Sequence, residues 1–209
     1  MATSSAAPAA DPMPKGRATR RRGDALTRAI YLTTLIELAE TSFEELSFDK
    51  IASRTGTGKA SLYRRWTTPA ELVLDALTDP VSGFGEPVKP ETGALRTDLV
   101  ALLHGLAQVL DEPHGRALRP LMTQRPRHPE LYDRVRTLIV QPRQEIILGL
   151  LRAAADRGEV RPAAVTARVA AVGPRLVVAE QMDIGTVSAA DVEAIVDEVL
   201  IPLISTPSR

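Results

Sequence analysis

The sequence predicts an all-α protein in which an N-terminal three-helix helix-turn-helix domain is joined to a larger C-terminal helical domain. Three observations predict it. Apolar residues recur at helical spacing from about residue 24 to residue 204, and no segment alternates with the two-residue period of a strand. Two short capped segments within residues 47–66 meet at a glycine turn, the pattern of two helices set at an angle. Residues 79–90 hold three prolines and two glycines, the clearest break in the chain.

Length and composition narrow the classes. At 209 residues, 44% of them hydrophobic and 25% charged, the chain can build one large domain or a small one fused to a larger one. No apolar run approaches the roughly 18 residues that cross a bilayer. Residues 1–23 are rich in Ala, Pro and Ser, then basic, without the apolar stretch of a secretory signal, so a cytoplasmic location and no membrane association are expected. The absence of cysteine excludes disulfides, thiolate nucleophiles and zinc-thiolate sites. His104, His114 and His128 are too scattered for a metal-ligand pattern. With no nucleophile elbow or phosphate-cradling glycine loop either, no catalytic residue, metal or cofactor is expected, and the enzyme class is set aside.

The net charge of zero conceals an uneven distribution. Residues 1–66 carry 11 basic against 7 acidic side chains, and the excess reverses beyond. Lys50, Arg54, Lys59, Arg64 and Arg65 fall within a stretch that contains no acid, as suits a surface meeting phosphates.

Element by element, residues 1–23 end in Arg20, Arg21 and Arg22 and are expected to form a disordered basic arm, either a solvated tail or a segment entering a minor groove. A first helix is predicted from an Asp24 N-cap to about Thr41, burying Leu32, Leu35, Ile36 and Ala39. Ser47 caps a two-turn helix whose Phe48, Ile51 and Ala52 point inward and whose exit is Gly56. Thr57 and Gly58 open another, over residues 59–65, with Leu62 and Trp66 on its inner side. Thr68-Pro69-Ala70-Glu71 reads as a capping box with proline at the first helical position. The first domain is thus placed at 24–78 and the second at 79–209. In the second, helices are predicted over 92–111, 115–124, 129–156, 163–185 and 188–204, with local breaks at Pro142 and Pro174.

The stretch Leu46-Ser-Phe-Asp-Lys-Ile-Ala-Ser-Arg-Thr-Gly-Thr-Gly-Lys-Ala-Ser-Leu-Tyr-Arg-Arg-Trp, followed by Thr-Thr-Pro-Ala-Glu-Leu, closely resembles the DNA-binding region of the tetracycline-repressor (TetR) family. The resemblance covers roughly residues 24–78. It implies a dimeric helical repressor that binds a double-stranded DNA operator and whose C-terminal domain serves ligand binding and dimerisation, with an unknown small molecule as effector. Groove chemistry suits it. Ala60 and Ser61 are short enough for close approach, Ser61 can bond a base edge, and Lys59 can reach guanine or a phosphate. Arg64 lies one turn on, while Thr57 and Tyr63 offer hydroxyls to phosphates. Ser47, Gly58 and Trp66 complete the expected contact set, Trp66 either as a backbone contact or as packing. Where the family usually has lysine near the start of the fourth helix, this chain has Pro69.

Beyond Pro90 the resemblance reduces to helical layout. With only Phe84 and Tyr132 as aromatics beyond Trp66, a pocket is expected to be lined by Leu, Val, Ile, Ala and Met. On the fifth helix Leu95, Leu99, Leu102, Leu106 and Val109 are the expected buried stripe. His104, Met122 and Arg175 are the ligand candidates; Arg175, expected to be buried in the most apolar helix, needs a partner that is a ligand acid, Glu180 or a group across the dimer. Pairing of subunits is expected through the last two helices, with Val192 and Leu203 on the interface. The competing class is a helical ligand-binding or interaction protein whose helix-turn-helix has lost DNA reading.

Overall fold

The computed structural model describes residues 15–205, with side chains from Gly23 onward. Among the described residues the regular elements are helical, and one isolated antiparallel bridge joins Val160 to Ser205. Helix α1 (Lys15–Glu40) begins well before the expected start. Asp24 is therefore an exposed residue inside the helix and not its cap. The reason is local: from Lys15 to Asp24 the chain is mostly Arg, Lys and Ala with no proline, so nothing halts the helix there. Of the expected basic arm, residues 1–14 and the side chains of Arg17, Arg20, Arg21 and Arg22 lie outside what is described.

Helices α2 (Phe48–Thr55), α3 (Lys59–Tyr63) and α4 (Pro69–Thr78) follow as the caps predict. The buried face of α1 is Ile30, Thr34, Leu35 and Leu38, while Leu32 is 44% exposed. Both sets satisfy the helical period, so spacing alone left the phase open. Packing against α2, α4 and a helix from the other half decides it.

That helix is α6 (Pro113–Met122). Its Ala117 and Leu121, with Leu131 and Val135 of α7 (Pro129–Val135), belong to the same apolar cluster as Leu35, Ile51, Leu62 and Leu72. A second cluster gathers α5 (Leu95–Asp111), α8 (Gln141–Asp156), α9 (Ala167–Ala170), α10 (Val172–Ile184), α11 (Ala189–Ala194) and α12 (Ile201–Ile204). On α5 the buried apolar residues are Leu95, Leu99, Leu103, Ala107 and Leu110, with Leu102 and Leu106 at the margin. Arg96 forks onto Asp197 at 2.6 and 2.7 Å and pins α5 to the last helical segment.

Proline shapes this half more than expected. Ahead of Pro142, residues Arg136–Val140 form a π turn in which the Gln141 N–H reaches back to the Arg136 carbonyl. Pro142 has no N–H to continue the α ladder, and the wider turn absorbs the mismatch. The same device, unforeseen in sequence, precedes Pro202: Ile195–Leu200 is a π turn closed by the Ile201 N–H on Val196. Ahead of Pro174 the chain breaks at Ala171, between α9 and α10. Val192 is fully buried within its own subunit, which removes it from the expected dimer face.

The corner between α5 and α6 is closely packed. A Cβ on Gly115 would lie 1.9 Å from the Val109 carbonyl oxygen, whereas one on Gly105 meets nothing within 4 Å. Gly115→Ala is therefore expected to lower stability by about 3 kcal/mol or more, since backbone must move. Gly105→Ala, in a helix interior, should raise it by about 0.5 to 1 kcal/mol. Urea denaturation of both variants checks this, and equal effects would contradict the corner as described.

Candidate nucleic-acid interface

The reading surface is built from local chemistry. The Ser47 hydroxyl accepts the Lys50 N–H at 3.3 Å and starts α2. Gly56, at φ 65°, takes the left-handed turn at its end, and the N–H groups of Gly56 and Thr57 both return to the Ala52 carbonyl. Only the backbone angle requires glycine here, because a Cβ would find open space. The Gly58 carbonyl accepts the Ser61 N–H at 2.8 Å and opens α3.

Leu62 is fully buried, which orients the rest of α3. Lys59, Ala60, Tyr63 and Arg64 are exposed, and Ser61 and Thr57 are half-buried beside them. Tyr63 is 55% exposed and meets Phe48 edge-on at 4.8 Å, so its ring is braced from one side and otherwise open to solvent. The expected contact residues are exposed or half-buried, with one correction. Trp66 is buried, its Nε1 donates to Asp75 at 2.8 Å, and Tyr31 packs edge-on against it at 6.0 Å. Its only polar hydrogen is spent inside the fold, so its role is packing.

The acid-free run of residues 50–66 does not stay acid-free in space. Arg54 bonds to buried Glu37 and to Glu40 at 3.2 Å, and Lys50 lies 3.4 Å from Glu37. The Arg54 hydrogen bond, aided by Lys50, holds the Glu37 carboxyl below the usual carboxylate range. Lys59 pairs with Asp49 at 2.6 Å, and that carboxylate pushes the ammonium pKa up. Arg65 bonds to Thr27 at 2.9 Å and stacks 4.4 Å above Trp66. Among the described residues, the Arg64 guanidinium makes no such bond. Sequence reasoning missed Glu37 and Asp49 because their partners are ten or more residues away and no spacing rule links them.

The start of α4 is closed as well. The Thr68 hydroxyl accepts the Glu71 N–H at 3.3 Å, and the Glu71 carboxylate accepts the Thr67 N–H at 2.7 Å, one residue before the position a capping box predicts. With Pro69 lacking an N–H and Glu71 supplying negative charge, this terminus is a poor place for a phosphate.

The ligand candidates are not brought together. Met122 packs against the first cluster, whereas His104 is half-buried on α5. Arg175 is exposed, not buried, because its helical spacing from Val178 and Met182 puts it on the same outer face of α10. An apolar void of about 10 Å³ in the second cluster is lined by Leu99, Leu103, Ile147, Leu151, Val169, Ala170, Gly173, Pro174, Leu200 and Ile204, none of them a candidate. Among the described residues no group of three metal-ligating side chains converges, and no helix is long and apolar enough to cross a membrane.

A capped helix, a left-handed glycine turn and a short helix with small and basic residues outward define a helix-turn-helix DNA-binding regulator. The family model "Bacterial regulatory proteins, tetR family" matches residues 30–76, and "Tetracyclin repressor-like, C-terminal domain" matches residues 89–199. An uncharacterized helix-turn-helix-type transcriptional regulator of Mycobacterium bovis is 31% identical over 83% of this chain and 85% of its own. The DNA-binding transcriptional repressor TetR of Mycobacteroides abscessus is 32% identical over 66% and 72% respectively. A crystal structure of a TetR-family transcription regulator superposes with TM-score 0.54 at 27% identity, covering 82% of this chain and 96% of that one. The chain belongs to the TetR family: it is a DNA-binding transcriptional regulator and not an enzyme.

Because the folded carboxyl of Glu37 titrates below its ordinary range, the stability it contributes is complete above that range and is lost as pH falls through the lowered value. Glu37→Gln is expected to lower the thermal midpoint at pH 7 by roughly 3 to 6 °C, with the difference from the parent shrinking below about pH 4. Circular-dichroism melts at pH 3 and pH 7 check this, and a gap of the same size at both would contradict it.

Proposed function

We propose that the protein is a homodimeric repressor that occupies a palindromic operator and is released by a small-molecule effector, with residues 24–78 reading DNA and residues 79–209 sensing and pairing. The observation that carries the reading is the outward surface of α3, where Lys59, Ala60 and Arg64 are exposed above a buried Leu62. Ser47, Thr57, Gly58, Ser61 and Tyr63 flank that surface and supply the remaining backbone and base contacts. Repression is supported by the likeness to the Mycobacteroides abscessus protein, a DNA-binding transcriptional repressor.

Pairing is supported by apolar side chains left in solvent on the last helices: Val178 is 38%, Met182 59% and Val199 40% exposed. A two-fold axis there would cover them on both subunits and set the two α3 helices toward half-sites about one turn of DNA apart. An effector that prefers a different separation would weaken binding by its differential affinity for the two states. The apolar lining of the void favours an apolar effector, and its volume of about 10 Å³ would have to grow to admit one.

Genomic selection should recover a palindromic site, and the double variant Lys59→Ala with Arg64→Ala should bind it at least about tenfold more weakly in mobility shifts. Recovery of no site, or unchanged binding by the double variant, would end the DNA-reading proposal. Met182→Glu should convert a two-chain particle to one chain by light scattering; an unchanged mass would refute the proposed interface.

A further inference from the structure

Asp49 sits in the first turn of α2, and Lys59 is the first residue of α3. The Lys59 ammonium lies 2.6 Å from one Asp49 carboxylate oxygen and 2.8 Å from the other, and it stands 5.9 Å over the Tyr63 ring. Both partners are open to solvent, with side chains 50% and 65% exposed. An exposed pair of this kind adds little to folding. It sits, however, on the surface that carries Tyr63, Ala60 and Arg64, where a phosphate backbone would approach.

The other cations of the helix-turn-helix sharpen the point. Lys50 and Arg54 face Glu37, which is buried and holds them from within the fold. The Asp49 carboxylate suits the first turn of α2 but holds nothing from within the fold: it is bonded to Lys59 and otherwise exposed. It withholds a cation and presents a negative charge to the same phosphates.

We propose that Asp49 restrains DNA binding by holding Lys59 in an intramolecular ion pair, so that each subunit engages DNA with one phosphate-neutralising cation fewer than its sequence carries. The inference rests on the DNA-reading function proposed above. While the pair persists Lys59 neutralises no phosphate and Asp49 adds a negative charge to the same surface, so affinity for any duplex is lowered once per subunit. Counterion release ties the number of neutralised phosphates to the slope of log affinity against log salt, at roughly 0.9 per phosphate. Freeing Lys59 therefore has a signature beyond affinity.

The test compares the full-length parent chain, Asp49→Asn and Asp49→Ser on a random-sequence 30-base-pair duplex and on a selected site, by fluorescence anisotropy over a salt series. Each is repeated in a Lys59→Met background, with thermal melts to establish that all variants are folded. Both Asp49 variants should bind the random duplex about fivefold more tightly at low salt or better, with a slope steeper by about 1 per subunit, and the gain should vanish without Lys59. No tightening, or an equal gain with and without Lys59, overturns the inference. If Lys59→Ala with Arg64→Ala abolishes site binding while the Asp49 variants change nothing, only this inference fails. If no chain binds any duplex, the DNA-reading proposal fails with it.

Discussion

The structure depends on one apolar cluster that the reading helix does not own. At five residues, α3 is far below the length at which a helix is stable alone, so its position is imposed by what Leu62 and Trp66 are buried against. Trp66 is fixed twice, by its indole N–H on Asp75 of α4 and by the edge of Tyr31 from α1. Helix α1 in turn packs along α6, whose Ala117 and Leu121 complete the same cluster. A displacement of α6 is therefore felt by the seat of α3, and no residue of the turn between α2 and α3 has to change conformation to transmit it.

Three crossings join that cluster to the second one, and each is stiffened differently. In the loop after α4, Arg143 from α8 donates to the carbonyls of Phe84 at 2.8 Å and Gly85 at 3.2 Å, and also to Ile139 at 2.9 Å. Half-buried, and with its pKa pushed down by that burial, this guanidinium is held by backbone oxygens and the Phe84 ring in place of a carboxylate. At the α5–α6 corner Gly115 permits backbone to touch backbone. Along the third crossing the π turn before Pro142 carries Ile139, in the first cluster, and leads into α8, whose Ile147 lies in the second. Tightly packed junctions shift between discrete arrangements more readily than they bend continuously, which suits the effector response proposed above.

What was legible in the sequence was the chemistry that acts over three or four residues. Ser47, Gly56, Thr68 and Pro69 announced helix starts and stops because a cap needs only its own turn. The phase of α1 was not legible, because the stripes through Leu32 and through Ile30 are equally periodic and the choice belongs to α4 and α6. Arg175 was misread for a related reason: a helix apolar on nearly every side suggests burial all round, yet Val178 and Met182 on its outer face are exposed in the single chain. Pro142 was recognised as a break, while Pro202 went unnoticed so near the end of the last helix; the π turn that accommodates both is a backbone solution that no side-chain pattern encodes. The ligand candidates were chosen for polarity on apolar helices, and polarity alone did not place them beside the void.

The same limit governs the electrostatics, and there it alters the functional argument. Counted along the chain, residues 50–66 form a strongly cationic surface; counted in space, Lys50, Arg54 and Lys59 each lie against a carboxylate from α1 or α2. Pro69 removes a further cation that the family usually supplies. Attraction to phosphate by one such unit is thereby reduced, and the pairing proposed above would offset the loss. Two linked readers bind as one, the second at an effective concentration set by the linkage, and affinity multiplies without any new contact. That gain exists only while both α3 helices can reach their half-sites together. In the proposed dimer a modest change in their separation would then cost most of the affinity, and reduced individual grips would make the assembly easier to release than strong ones.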